Sequence, residues 1–103
     1  MRPLSNSTLA LIQQTVPNDL QQEVIKLLEN ECADNLPFLE KATSEGLERY
    51  RYAVLKIGKG NMDKLITAIE LAQQDWRDLL AADEFADSVD AHKLWSKKEY
   101  RIG

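Results

Sequence analysis

The chain has 103 residues, of which 44% are hydrophobic and 29% are charged, and its formal net charge is −4. This length suits one domain, and the balance of apolar and charged residues excludes a disordered chain. The negative net charge argues against general polyanion binding, and the lack of any run of about 18 apolar residues argues against a membrane span.

Cysteine usage and the N-terminus indicate where the protein works. Cys32 is the one cysteine in the sequence, so the chain forms no internal disulfide and suits a reducing compartment. The apolar patch from Leu9 to Ile12 is too short for the hydrophobic part of a signal peptide. We therefore expect a cytoplasmic protein.

Apolar residues recur at helical spacing along most of the chain, which predicts an all-α fold: a compact single domain of five or six short helices spanning residues 1–103. The first helix is predicted from Ser7 to Thr15, with Ser5 or Ser7 as its N-cap. Pro17 ends this helix and suits the first turn of the next, so we expect a tight corner there. The apolar face of the second helix consists of Leu20, Val24, Leu27, Leu28 and Cys32.

A non-helical segment, residues 33–46, is expected to precede the third helix. Its apolar side chains should pack under the core, because they are too hydrophobic to remain in water. Thr43 or Ser44 is the predicted N-cap of the third helix, and Gly58 or Gly60 is its predicted end.

Residues 61–82 allow two interpretations. Apolar residues keep helical phase from Met62 to Leu79, which predicts a single helix capped by Asn61. Asp75 is also a good N-cap, which predicts a break and two helices. The sequence leaves this alternative open.

The C-terminal part is predicted to hold one more short helix. Asp87 or Ser88 is its expected N-cap, and it carries His92 and Trp95 at helical spacing. Residues 96–103 are expected to fray as a polar tail.

Charge is distributed unevenly along the chain. Residues 46–65 carry a net charge of +3, and residues 66–91 carry a net charge of −6. The two blocks can face each other within the fold, pair across a homodimer or meet a partner. The acidic block favours contact with a protein partner, and the candidate residues for that contact are Arg77, Asp83, Glu84, Asp87, Asp90 and His92.

Nucleic-acid binding is the alternative function, because the basic block interleaves tyrosines with arginines. The candidate residues for this function are Arg49, Arg51, Lys56 and Lys59. A third helix whose apolar stripe faces inward would turn Glu48, Arg51, Tyr52, Lys56 and Lys59 toward solvent. The flanking acidic blocks oppose a polyanion, so nucleic acid is the less favoured partner.

Catalysis is not expected from the residues present. One cysteine and one histidine are too few for a zinc site, and no segment resembles a phosphate-binding loop or a nucleophile elbow. We therefore expect no enzyme, cofactor or metal, with a small enzyme built on the acidic cluster as a second alternative. His92 is predicted to be half-buried and bonded to backbone or a carboxylate, and Trp76 and Trp95 to belong to the core.

The segment DWRDLLAADEFADSVDAHKLW, residues 75–95, resembles the C-terminal part of a group of small uncharacterised bacterial helical proteins that share a DWRDLL…F…AH…W pattern. The likeness extends upstream through DKLITAIELAQ, ERYRYAVLK and EVIKLLENECADNLPF. The resemblance implies a bacterial cytoplasmic setting and joint action of residues 75–78, with no established activity or cofactor. Such relatives often have glycine where Glu84 stands, so the turn before Phe85 is expected to differ here.

Together these observations predict a non-enzymatic protein-interaction module, a small regulatory or immunity-type protein that masks a partner. The immunity-type suggestion depends on small size, acidity and the bacterial resemblance. On this interpretation residues 75–95 form a structural corner with an acidic solvent face and not a reactive centre.

Overall fold

The computed structural model describes residues 2–33, 44–85, 88 and 90–102. The described residues form six α-helices and one short 3-10 turn and contain no β-strand, which confirms the predicted all-α fold. The helices are α1 (Asn6–Thr15), α2 (Gln21–Glu31), α3 (Ser44–Gly58), α4 (Met62–Gln74), α5 (Trp76–Ala82) and α6 (Ala91–Tyr100). Within this part of the chain, no helix is long and apolar enough to cross a membrane.

The N-terminal corner forms as the sequence predicts. Ser5 is the N-cap of α1, and its hydroxyl accepts a hydrogen bond from the backbone N–H of Thr8. Such a bond satisfies one of the amide donors that the first helical turn leaves unpaired. Pro17 then precedes the 3-10 turn Asn18–Leu20, which leads directly into α2. The two helices therefore meet at a tight corner.

Helix α3 lies at the centre of the molecule, where it contacts α1, α4, α5 and α6. A helix packed on several sides cannot leave a broad polar face in water, so α3 is buried almost all round between residues 50 and 55. The prediction that Arg51 and Tyr52 face solvent is wrong for this reason. Both side chains are buried.

A left-handed turn connects α3 to α4. Lys59 and Gly60 have φ angles of 48° and 78°, and Gly60 lies so close to α1 that an added Cβ would be 2.4 Å from the carbonyl oxygen of Thr15. Asn61 then caps α4, as predicted, by accepting a hydrogen bond from the backbone N–H of Lys64.

Residues 61–82 form two helices, which decides between the two interpretations. Asp75 has extended backbone angles, φ −154° and ψ 99°, and its carboxylate accepts a hydrogen bond from the backbone N–H of Arg77. The break allows α5 to change direction and place Leu79 and Leu80 in the core. The Asp75 cap and the packing of α5 in its new direction therefore stabilise two helices more than the continuous spacing of apolar residues stabilises one.

The C-terminal segment is more ordered than predicted. Helix α6 begins at Ala91, and its N-cap is Asp90 and not the predicted Ser88. The Ser88 hydroxyl lies before the helix and accepts a hydrogen bond from the backbone N–H of Asp90. The expectation that residues 96–103 fray is wrong for the residues described there. The helix continues to Tyr100, and Ile102 is buried and exchanges two hydrogen bonds with Ser96.

Several predictions fall outside the described residues. These predictions concern the loop within 34–43 and the caps proposed at Thr43 and Asp87. The side chains of Ser44 and Trp76 also lie outside the description, so the expected core position of Trp76 stays a prediction. Trp95 is half-buried and packs against the core.

Candidate functional site

The charged side chains of residues 75–90 divide into an exposed set and a buried one. Asp75, Asp78, Glu84 and Asp90 are exposed, as is Arg77. We call the four carboxylates the acidic edge. Glu84 has a positive φ of 64° in the turn after α5, a conformation that glycine adopts more readily than other residues. Of the six candidate partner-binding residues, Arg77, Glu84 and Asp90 are at the surface, and Asp87 lies outside the described residues.

Asp83 is not a surface residue, so its side chain is not available there for the predicted contact with a partner. Its side chain is 2% exposed, and its Oδ2 atom has no hydrogen-bond partner. Burial raises the pKa of Asp83 to about 7, although the positive charge of Lys56 opposes this shift. The carboxyl group is therefore uncharged in mildly acidic solution.

Two basic side chains of α3 hold the segment that follows α5. Lys56 donates from Nζ to the carbonyl oxygen of Asp83 over 2.7 Å, and its ammonium lies 4.8 Å from the ring centre of Phe85. Arg49 donates to the carbonyl oxygens of Phe85 and Ser88. The basic block thus faces the acidic segment within the fold, which is one of the three predicted arrangements. The hydrogen bonds between them are accepted by backbone carbonyls and not by carboxylates.

Three of the four side chains predicted to bind nucleic acid form hydrogen bonds within the protein. Arg51 is 3% exposed, and its guanidinium donates to the carbonyl oxygens of Arg2, Pro3 and Cys32. Arg49 and Lys56 bind the carbonyls described above. Lys59 is the one member of the four candidates that is fully at the surface. A continuous basic face on α3 is therefore not formed.

His92 lies in the core, so its side chain is not available at the surface for the predicted contact with a partner. It is 1% exposed, and its Nε2 atom is 3.3 Å from the Glu48 carboxylate. The ring of Tyr52 meets the imidazole edge-on, with the ring centres 5.0 Å apart. The predicted hydrogen bond to a carboxylate is present, but burial is deeper than expected. This burial lowers the pKa of His92, against the opposing effect of Glu48.

Glu48 is a partly buried junction that the sequence did not predict. Its Oε1 atom accepts hydrogen bonds from the hydroxyls of Ser5, over 2.7 Å, and Ser7, over 2.5 Å. Burial opposes ionisation of Glu48, but the hydrogen bonds from Ser7, Ser5 and His92 outweigh it and lower the pKa of the carboxyl group. More than 40 residues separate Glu48 from each partner, so no local pattern signals the cluster.

The cluster around Glu48 joins the two serine hydroxyls to the carboxylate and not to His92. The two serine hydroxyls donate to Glu48, whereas His92 bonds Glu48 through Nε2 and has no partner at Nδ1. Burial also raises the pKa of Cys32 to about 12, against the effect of Arg51, so that this thiol is a poor nucleophile at neutral pH. The described residues contain no group of three potential metal ligands.

Comparison with known proteins gives no further guide to the site: no family model, curated protein or solved structure matches the chain. The resemblance to small bacterial helical proteins stays a prediction.

Proposed function

We propose that this protein is a non-enzymatic interaction module, a small regulatory or immunity-type protein that covers a basic surface on a partner protein. The acidic edge is the proposed contact surface. The observation that carries the proposal is the way Arg49 and Lys56 bind backbone carbonyls beside this edge. Because these cations bind carbonyl groups, the edge keeps a net negative charge that a basic partner can neutralise.

Helix α5 holds two members of the acidic edge, Asp75 and Asp78. Asp75 caps α5, and Asp78 follows within its first turn. Lys56 and Arg49 anchor the backbone after α5 from beneath. A charged surface that is already ordered loses little conformational entropy on binding and guides the approach of an oppositely charged partner. Such a contact weakens as salt rises, because exposed charges are screened.

A bacterial cytoplasmic setting belongs to the same proposal. It agrees with the resemblance described above and with the buried, unpaired thiol of Cys32, since free cysteines are common where the medium is reducing. The partner in this proposal is a different protein, and a homodimer is the competing outcome.

Reversal of charge at the acidic edge tests the proposal. The test variant carries Asp78→Lys and Glu84→Lys, and the control carries Glu23→Lys and Asp63→Lys, two exposed acids that also lie in first helical turns. Each protein is cross-linked in extract of the native host, the captured partner is purified, and its affinity is measured by titration calorimetry at low and high salt. We expect the wild type and the control to bind one basic partner with salt-dependent affinity.

The test variant should lose at least about tenfold in affinity for that partner, since two favourable charge contacts become repulsive. Circular dichroism checks that all three proteins are folded. Equal binding of the partner by the test variant would contradict the proposal, and so would a partner that carries no basic surface.

A further inference from the structure

The outer face of α6 differs in character from the acidic edge. Leu94 is 65% exposed, the larger of the two exposures among big apolar side chains in the described residues. Lys97 and Lys98 follow it at three and four residues, and both are exposed. Residues at these spacings lie next to one another on a helix surface. Leu94 therefore stands among cations, and Lys93 adds a further exposed ammonium group.

A groove runs beside this face and has a volume of about 410 Å³. Three of its lining residues, Lys93, Leu94 and Lys97, belong to α6. Tyr52 and Ile102, both buried, line it as well. The remaining lining residues are polar: Ser7, Glu48 and Ser96.

We propose that this groove, together with Leu94, is a docking site for an acidic peptide segment that carries a large apolar side chain. The groove is chemically complementary to such a segment. The lining lysines supply charge for carboxylates, and Leu94 supplies an apolar contact whose burial is favourable. A groove of this volume accommodates a single large side chain, which is how peptide-binding surfaces anchor their ligands.

The position of Glu48 fixes the orientation of the peptide. Its carboxylate forms part of the groove wall and would repel an acidic group placed beside it. The carboxylates of the peptide therefore pair with Lys93 and Lys97 at the rim, and the apolar side chain enters the groove. The same carboxylate disfavours a polyphosphate backbone, which would bring several negative charges past it.

This site goes beyond the proposed function, because it lies on α6 and prefers an acidic ligand. A protein with both surfaces can hold a basic partner at the acidic edge and an acidic segment at the groove. The two contacts use separate residues, so each can fail in experiments while the other stands.

A library of random peptides about twelve residues long, displayed on phage, supplies the probe. Peptides are selected on the wild-type protein, and the enriched peptide is synthesised with a fluorophore. Its affinity is then measured by fluorescence anisotropy for the wild type, Leu94→Ala and the double variant Lys93→Glu with Lys97→Glu. The matched control is Lys26→Glu with Lys64→Glu, which reverses two exposed lysines on α2 and α4.

We expect enriched peptides that combine Asp or Glu with a large apolar residue. The reversed pair should weaken binding by about tenfold or more, and Leu94→Ala by several-fold, whereas the control should bind within about twofold of the wild type. Enrichment of basic peptides, no enrichment, or equal binding by the α6 variants would overturn the proposal. If sedimentation equilibrium shows that the wild type self-associates and that charge reversal at Lys93 and Lys97 abolishes this, the occupant is a second copy of the chain and the proposal is overturned. Tight binding of single-stranded DNA that depends on α6 would overturn it in favour of nucleic acid.

Discussion

Asp83→Asn should make the protein more resistant to alkaline conditions. The wild-type carboxyl is 2% exposed, its Oδ2 atom has no hydrogen-bond partner, and burial raises its pKa to about 7. In the unfolded chain the pKa returns to its ordinary value near 3.8. The folded state therefore holds the proton more tightly than the unfolded state, and the free energy of unfolding falls as pH rises between these two values.

The magnitude follows from the separation of the two pKa values. Each pH unit in this window changes the stability by at most about 1.4 kcal/mol, so roughly three units give an upper limit of about 4 kcal/mol. Local relaxation around the buried carboxyl group reduces this effect, and we expect the stability to fall by about 2 kcal/mol between pH about 5 and pH about 7. Because a domain of this size has a total stability of roughly 5–15 kcal/mol, the change is easily measured.

Urea denaturation followed by circular dichroism tests this prediction at several pH values between about 5 and 8. Asp83→Asn resembles the protonated carboxyl at every pH, so its stability relative to the wild type should rise with pH. Asp78→Asn is the matched control, because it removes the same charge from an exposed position on α5. A stability difference for Asp83→Asn that stays constant over this range would refute the reasoning.

Three further substitutions test the packing. Arg51→Met should cost about 3–5 kcal/mol, since the backbone carbonyls of Arg2, Pro3 and Cys32 lose a charged donor; an unchanged urea midpoint would contradict the burial of this side chain. Gly60→Ala should cost about 2 kcal/mol or more, because it adds a Cβ at positive φ and 2.4 Å from the Thr15 carbonyl oxygen. A thermal midpoint equal to that of the wild type would disprove this close approach. Asp75→Ala should cost about 1 kcal/mol through loss of the cap on α5, with helical content by circular dichroism unchanged; a marked gain in helicity would indicate that α4 and α5 had fused.

Features that depend on neighbouring residues could be predicted from the sequence. Helical spacing of apolar residues predicts the all-α fold. The side chains of Ser5 and Asn61 accept the capping hydrogen bonds of α1 and α4, as their residue types predict. The sequence places Cys32 in line with the apolar residues of the second helix, and this residue, the C-cap of α2, is buried as that position predicts. These features follow from backbone geometry within a few residues, which is why the sequence alone determines them.

The tertiary structure decided the features that depend on distant residues. A helical wheel assigns one inward face to α3, but α3 packs against four helices, so Arg51 and Tyr52 are buried on what would be its outer side. The pairing of Glu48 with His92 and the burial of Asp83 depend in the same way on contacts across the chain. A polar or charged side chain is buried only where distant groups surround it and offset the loss of water, and sequence spacing carries no information about those groups.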